Sequence, residues 1–380
     1  MKKILFYTKV NFATKGNAGI VNKVKAQAKA FVELGFACDL VYFENNDIVI
    51  QASDGEKQVF SFDSTFKRIR FQYFGFLKKI KITDYDLFYI RHFSLQPLIF
   101  TTLKQVKKQH KAIKMIMEIP TYPYQLELQN TSAKQLIVNK LDIFYWKKMP
   151  SLIDRILTFS DYDFIHNIPT LKTSNGIDIT LFEAKEKIEL TKEFHILGLA
   201  NVQPWHGFDR IIEGMKNWYA LAQKNENAPK NIFFHIVGDG AGIKALQILT
   251  ALYGLEKQVV FHGSKFGKEL DFYFQTCHLA ANSLAWHRTG ANSPTIKMRE
   301  YCAKGIPFIN GYEDKDLPSN FPFSFQVKSN DEAININDLI AFFQNIQVKY
   351  PNYPQILHDF AKDNLTWKAK LTVVKKMLDC

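Results

Sequence analysis

Apolar residues along the chain fall into short runs that are separated by stretches with helical spacing. Strand-like runs in the first half read "KKILFYTK", "CDLVYF", "QVFSF", "DLFYIR", "KMIMEI" and "RILTFS". The first helical stretch places its apolar side chains on one face, at Ile20, Val24, Ala28 and Phe31. Alternation of strands and helices indicates a parallel sheet with helices on both faces.

The same pattern restarts beyond the middle of the chain, with "EFHILGLA", "IFFHIVGDG", "VVFHG" and "HLAANSLAW". The segment between the two halves, "TLKTSNGIDITLFEAKEK", is polar, contains Asn-Gly and shows little periodicity. We therefore predict an α/β protein of two doubly wound domains that face each other across a cleft. The predicted bounds are residues 1–172, a linker at 173–192, residues 193–362, and a C-terminal helix at 363–380 that packs back on the first domain.

Composition excludes several classes of protein. Hydrophobic residues make up 47% of the 380 residues, which excludes disorder, and no apolar run approaches the roughly 20 residues that span a bilayer. The four cysteines are scattered, so neither a disulfide framework nor a zinc site is expected, and no metal or cofactor is predicted. The short apolar stretch after Met1 reads as a strand rather than a signal peptide. A cytoplasmic protein is expected.

The net charge of +12 is concentrated in the N-terminal half. Residues 1–175 carry 26 Lys and Arg against 15 Asp and Glu, whereas the remainder carries 23 against 22. This asymmetry predicts an anionic partner for the first half, either a membrane, a nucleic acid or an acidic substrate. No helix-turn-helix, RNP or zinc pattern supports nucleic acid.

One basic stretch, "FKRIRFQYFGFLKKIK", interleaves cations with aromatic residues. Its candidate surface residues are Lys67, Arg68, Arg70, Lys78 and Lys79. Aromatic side chains among cations suit an anionic lipid surface, which predicts a peripheral membrane or acceptor surface. A solvated helix face over buried aromatic residues is the alternative.

The stretch "SPTIKMREYCAKGIP" predicts a helix that ends at Gly305, before an apolar strand. Ser293 is a suitable N-cap, and Pro294 fits the first turn. The free N–H groups of the turn formed by Ser293, Pro294 and Thr295 predict an anion site.

Several motifs together resemble the GT-B glycosyltransferases, in particular the retaining family 4 enzymes of bacterial capsule and exopolysaccharide synthesis. They are "SNGID", "ANVQPWHGFDRIIEG", "VGDG" and the helix stretch that ends in "EYCAKGIP". The resemblance covers most of the chain and is strongest from Asn175 to Ile309. It implies two Rossmann-like domains, with the nucleotide sugar held by the second domain and the acceptor largely by the first.

By this resemblance, Glu300 matches the glutamate that accepts hydrogen bonds from the nucleotide ribose. The first glutamate of the family pattern is replaced by Asn292, and the family's Arg and Lys, which neutralise the diphosphate, are replaced by Asn201 and His206. We expect Lys297 and Arg288 to supply the missing positive charge, together with the turn at 293–295. The alternative for Lys297 and Glu300 is a surface ion pair.

Five further candidates are weaker. Gly16 and Gly19 in the first loop, and Gly238 in "VGDG", allow close approach to the donor or form ordinary turns. Glu118 ends the strand "KMIMEI" and is a candidate base or acceptor-orienting group, or else a carboxylate that caps nearby N–H groups. His92 is either a cleft residue that assists the acceptor or a packed histidine.

The sequence thus predicts a retaining glycosyltransferase that moves a sugar from a nucleotide-sugar donor, expected to be a UDP-sugar, to a saccharide or lipid-linked acceptor. The absence of an Asp-x-Asp motif agrees with a reaction that needs no metal. A nucleotide-sugar 2-epimerase and a catalytically silent subunit that binds a partner enzyme are the alternatives.

Overall fold

The computed structural model describes residues 1–91, 97–120, 122, 144–221, 229–289 and 296–379. They form two compact units, Met1–Gly176 with Trp367–Cys380, and Ile177–Thr366. Most of the predicted linker at 173–192 belongs to the second unit, because Ile177 and Lys185 are buried there.

The first unit is built on one twisted sheet. Its strands are β1 (Lys3–Asn11), β2 (Ala37–Glu44), β3 (Asp47–Gln51), β4 (Lys57–Phe60), β5 (Leu87–Arg91), β6 (Lys114–Ile119), β7 (Arg155–Thr158), β8 (Phe164–Ile165) and β9 (Ile168–Lys172). Their order is β4-β3-β2-β1-β5-β6-β7-β9-β8. The central strands are parallel, whereas β3 and β4 add an antiparallel edge. Strands β1 and β5 are apolar almost throughout because helices cover both of their faces.

Helices α1 (Ala18–Glu33), α2 (Thr65–Arg70) and α3 (Pro97–Gln109) belong to the first unit and precede β7. Helix α1 buries Val24 and Phe31 against one face of the sheet, and α3 buries Leu103 and Val106 against the other. Helix α2 buries none of its side chains, which leaves its basic residues in solvent.

The second unit contains a second parallel sheet. Its strands are β10 (Glu193–Leu199), β11 (Asn231–Val237), β12 (Val259–Gly263), β13 (Leu279–Ala281), β14 (Phe308–Asn310) and β15 (Ser324–Gln326). Their order is β12-β11-β10-β13-β14-β15, and every pair is parallel. The reversal of strand order between β10 and β13 marks the position where ligands bind in sheets of this kind.

Helices surround this sheet and continue to the end of the chain. They are α4 (Phe208–Leu221), α5 (Ile243–Leu252), α6 (Lys268–Thr276), α7 (Lys297–Lys304), α8 (Ile336–Lys349), α9 (Tyr353–Asn364) and α10 (Trp367–Asp379). Helix α7 ends at Gly305, which has a φ of 72° in the left-handed region, so the predicted helix end is confirmed. Helix α10 packs in the first unit, where Trp367, Leu371 and Val374 join the core under α1.

The prediction of an α/β protein with two doubly wound domains is confirmed by these two sheets. Among the described residues, no helix is long and apolar enough to cross a membrane. The part of the chain that the structure describes contains no group of His, Cys, Asp and Glu side chains arranged to hold a metal ion.

Candidate functional site

The loops after β10 and β11 pack backbone against backbone at the carboxyl edge of the second sheet. The Val202 N–H donates to the carbonyl of Asp239 at 2.6 Å. A Cβ added at Gly238 would lie 1.8 Å from the Ala200 carbonyl oxygen, and Gly238 has a φ of 127°. Only glycine fits this position, so its first role is to let the two loops meet. Asn201 is exposed at the same edge.

His206 ends the short 3-10 turn Pro204–His206, which follows the β10 loop. Its Nδ1 accepts a hydrogen bond from the Gln203 N–H at 2.9 Å, so the ring proton resides on Nε2. Burial and the nearby Lys297 lower the pKa of His206 to about 3. The side chain is therefore a neutral imidazole that offers one N–H donor.

Lys297 begins α7, and its ammonium nitrogen is buried. No hydrogen-bond acceptor lies within reach of this Nζ among the residues that the structure describes. Burial lowers the pKa of Lys297 to about 7, although Glu300 acts in the opposite direction. A buried cation without a partner costs folding free energy, so it is a strong indication of a binding site for an anion.

Glu300 lies half-buried one turn further along α7. Burial raises its pKa to about 7, against the influence of Lys297. Within the described chain the two side chains form no ion pair at 4 Å or less. The alternative of a surface ion pair is therefore inconsistent with the geometry, and both groups keep unused hydrogen-bonding capacity.

Arg288 is occupied by carboxylates of the protein. Two of its nitrogens donate to the two Asp209 oxygens at 2.9 and 2.7 Å, and its Nε donates to Asp331 at 2.8 Å. A bidentate pair of this kind fixes the guanidinium plane. The structure gives Arg288 a positioning role between two loops, rather than the free cation that the sequence predicted.

Sequence reasoning missed Arg210, which anchors the wall of the site. The guanidinium is buried and donates to the carbonyls of Leu284 and Glu332 and to the Asn330 side chain. Leu284 follows β13 and in turn donates its N–H to the carbonyl of His206 at 3.1 Å. The one signal in the sequence was an arginine inside the motif "WHGFDR".

A ladder of imidazoles, also not predicted, crosses β10, β11 and β12. His195 Nδ1 lies 2.9 Å from His235 Nε2, and His235 Nδ1 lies 3.0 Å from His262 Nε2. His278 Nδ1 accepts from the His195 N–H at 3.0 Å. Burial, with the neighbouring imidazoles second, lowers the pKa of His235 to about 4, and burial, with Lys185 second, lowers that of His278 to about 3. His235 and His278 are therefore neutral near pH 7 in the folded protein.

Five predicted residues lie outside the described part of the chain. They are His92, Asn292, Ser293, Pro294 and Thr295. Their roles remain predictions.

Gly16 and Gly19 are exposed at the start of α1, and a Cβ at either position would meet nothing within 4 Å. Neither glycine is required by the backbone there. The open space beside them is compatible both with an ordinary turn and with a bound ligand. Their role in binding the donor therefore also remains a prediction.

Glu118 lies at the end of β6 and is fully buried. Its carboxylate accepts hydrogen bonds from Tyr89 Oη at 2.7 Å, Gln27 Nε2 at 3.0 Å and Arg91 Nη1 at 2.5 Å. Burial alone would raise its pKa, but Arg91 and Lys23 outweigh burial and lower it. Glu118 thus organises two cations below the carboxyl edge of the first sheet. Its two oxygens accept hydrogen bonds from three side chains. This arrangement differs both from a free base or acceptor-orienting group and from a carboxylate that caps backbone N–H groups.

The predicted membrane surface is exposed. Lys67, Arg70, Lys78 and Lys79 point into solvent, and Arg68 is half-buried against Asn46. Phe66 stands among them with 73% of its surface exposed. An aromatic side chain exposed between cations fits a lipid interface. The burial of Tyr73 and Phe76 fits the alternative of a solvated face over buried aromatic residues, so the membrane surface remains a prediction.

The chain is similar to known proteins in structure, but the comparisons of its sequence found no match. No protein-family model matches the chain, and no curated protein matches it. A glycosyltransferase from Rickettsia africae ESF-5 superposes with a TM-score of 0.61 at 13% identity, over 100% of this chain and 98% of that chain. The catalytic domain of starch synthase IV from Arabidopsis thaliana, bound to ADP and acarbose, gives a TM-score of 0.55 at 10% identity over 100% and 99%.

The lipopolysaccharide outer core galactosyltransferase WaaB, in its apo form, gives a TM-score of 0.52 at 14% identity over 99% of each chain. These structures have the GT-B fold. At such identities the likeness establishes the fold of this chain, two Rossmann-like domains of the GT-B type.

Proposed function

We propose that the protein is a glycosyltransferase that moves a sugar from a nucleotide-sugar donor to a saccharide or lipid-linked saccharide acceptor. The observation that carries the proposal is the buried ammonium of Lys297, which lies beside Glu300 and has no hydrogen-bond partner among the residues that the structure describes. Lys297 lies close to His206, which follows β10. The strand order reverses between β10 and β13, and doubly wound domains bind nucleotides at such a reversal. The similarity to glycosyltransferase structures supports the choice of reaction.

Each residue of the proposed donor site has a role that follows from its chemistry. The Lys297 ammonium and the Nε2–H of His206 would stabilise the diphosphate as it leaves, because charge develops on its oxygens when the glycosidic bond to phosphate breaks. Glu300, as a carboxylate, would accept hydrogen bonds from the ribose hydroxyls. Asn201, Gly238 and the turn at 293–295 would complete the donor site. A UDP-sugar is the proposed donor.

We propose further that the reaction retains the configuration of the sugar. The acceptor hydroxyl would attack the anomeric carbon from the face that the phosphate leaves, and the departing phosphate oxygen would take the hydroxyl proton. No protein nucleophile is then required. His92 and Glu118 belong to the domain proposed to hold the acceptor. Glu118 would act indirectly there, by fixing the positions of Lys23 and Arg91.

Incubation with radiolabelled UDP-sugars tests the function. Transfer of label to a lipid or saccharide is expected. Interconversion of the nucleotide sugar would instead indicate the 2-epimerase, and unchanged donor in the presence of bacterial lipid and saccharide acceptors would indicate the silent subunit.

We also propose that the acceptor belongs to cell-envelope polysaccharide synthesis, of capsule or exopolysaccharide type, and that the enzyme works at the cytoplasmic face of the membrane. The exposed cations and Phe66 of the α2 region support this location. The similarity to a lipopolysaccharide galactosyltransferase points in the same direction.

Replacing Lys67, Arg70, Lys78 and Lys79 by glutamine is expected to weaken binding to anionic vesicles at least ~10-fold, because each cation near such a surface contributes about 1 kcal/mol. Co-sedimentation with phosphatidylglycerol and with phosphatidylcholine vesicles measures the effect. The matched control replaces four exposed lysines of the second unit, Lys244, Lys257, Lys268 and Lys328. Equal binding to both kinds of vesicle, or an equal loss in the control, would refute the membrane surface.

A further inference from the structure

The donor site contains two ionisable groups that satisfy neither each other nor, among the described residues, any other group. The Lys297 ammonium is sealed from solvent without an acceptor, and the Glu300 carboxyl receives no hydrogen bond from the described side chains. A folded protein keeps such groups neutral where it can, since an uncompensated buried charge is costly. A ligand that offers an anion to Lys297 and hydrogen-bond donors to Glu300 favours the charged forms of both side chains.

We propose that binding of a nucleotide sugar at this site protonates Lys297 and deprotonates Glu300. The inference rests on the proposed function, because the diphosphate must lie on Lys297 and the ribose hydroxyls on Glu300. The ammonium is favoured by a diphosphate, which carries two negative charges. The carboxylate is favoured by two hydroxyl donors, which bind an ionised acceptor more strongly than a carboxylic acid.

The titratable groups around Lys297 support this coupling. Glu300 lies on the same helix, and His206 faces Lys297 from the turn at 204–206. His206 stays neutral above pH 4, since its pKa is lowered to about 3, so it exchanges no proton near neutral pH. Burial first, and then the mutual influence of the pair, places the pKa of Lys297 and that of Glu300 both at about 7.

The direction of proton exchange should therefore change with pH. Above pH 7 the free protein holds a neutral Lys297 and an ionised Glu300, so binding takes up a proton on Lys297. Below pH 7 it holds a charged Lys297 and a protonated Glu300, so binding releases a proton from Glu300. Uptake near pH 8 and release near pH 6 should each approach one proton, and the two cancel near neutrality.

Isothermal titration calorimetry of the full chain counts these protons. UDP-glucose and ADP-glucose are the probes, because a sugar-linked diphosphate has no group that titrates between pH 6 and 8, whereas a free terminal phosphate titrates near pH ~6. At each pH the binding enthalpy is measured in several non-phosphate buffers of different ionisation enthalpy, MES, PIPES and Bis-Tris at pH 6 and HEPES, Tricine and Tris at pH 8. The slope of enthalpy against buffer ionisation enthalpy equals the number of protons taken up.

Two variants separate the two halves of the effect. Lys297→Arg keeps a charge at every accessible pH, so it should abolish the uptake at pH 8 and preserve the release at pH 6. Glu300→Gln should abolish the release and preserve the uptake. If arginine does not fit and binding is lost, Lys297→Met is used instead. This variant should bind the nucleotide sugar more weakly and take up no proton at pH 8.

Tight binding with the same enthalpy in all buffers would overturn this inference and leave the proposed function intact. Unchanged proton uptake in both Lys297 variants would also overturn it, because the proton would then come from another group. A lack of heat with either nucleotide sugar, together with unchanged thermal stability in their presence, would refute the proposed function itself.

Discussion

Replacing Lys297 by methionine should stabilise the protein and nearly abolish sugar transfer. Lowering a lysine pKa from 10.5 to about 7 corresponds to about 5 kcal/mol of lost stability at neutral pH. Structural relaxation reduces that cost, so we expect a gain on the order of 2 kcal/mol, or ~4–8 °C in Tm. Loss of the cation at the leaving group should lower kcat/KM by ~10²–10³-fold.

Thermal unfolding and steady-state transfer assays on the same preparations measure both effects. Lys304→Met is the matched control, because Lys304 lies on the same helix but pairs with Asp271 at 2.5 Å. The control should lose a little stability and keep its activity. A Lys297→Met variant that is less stable than the wild type, or equally active, would contradict the assignment of Lys297 as an anion ligand.

Acidification from pH 7.5 to pH 5 should destabilise the second unit by several kcal/mol. His206, His235 and His278 have pKa values lowered from 6.5 to about 3, 4 and 3. The unfolded chain binds protons there and the folded chain does not, so their contribution is complete above pH 6.5 and decreases as the pH falls towards 4. Each histidine accounts for about 2 kcal/mol at pH 5.

Glu300 offsets part of this loss. Its folded pKa is raised to about 7, so most of the penalty for its ionised form disappears as the pH falls from 7.5 to 5, a gain of about 2 kcal/mol. For the three histidines and Glu300 together we therefore expect a net loss of about 4 kcal/mol. In the Glu300→Gln variant the loss should increase to about 6 kcal/mol, since the offset is absent.

Urea unfolding at a series of pH values measures these slopes. The double variant His235→Gln with His278→Gln should show a shallower pH dependence. His110→Gln, at the end of α3 in the first unit, is the matched control and should leave the slope of the second unit unchanged. If the free energy of unfolding depends equally on pH in the wild type and the double variant, His235 and His278 are not the source of the acid sensitivity.

The sequence predicts most strands of this fold because their burial is encoded locally. Strands β1 and β10 lie within the predicted runs "KKILFYTK" and "EFHILGLA". The short strand β3, Asp47–Gln51, was missed, as was the short pair β8 and β9. Short strands are stabilised by cross-strand pairing with partners such as β2, which periodicity along one segment does not reveal.

The sequence predicted which candidate residues share a helix, but not their ionisation or pairing. The three-residue spacing of Lys297 and Glu300 predicted neighbours on one helix, which the structure shows, whereas their burial depends on the surrounding chain. Arg288 was expected to be free, yet its bidentate partner Asp209 lies 79 residues away. Likewise, the partners of Glu118 come from a helix and a neighbouring strand. Contacts between distant segments leave no local pattern in a sequence.

Helix α10 affects how the chain folds as it is synthesised. The 177–366 unit is continuous, so all of its strands and helices have been made before residues 367–379 appear. The N-terminal sheet, by contrast, is made first but lacks Trp367, Leu371 and Val374 beside α1 until then. During synthesis the apolar surface beside α1 therefore stays uncovered until the last residues of α10 emerge, so the first unit completes its core after the second unit has been made.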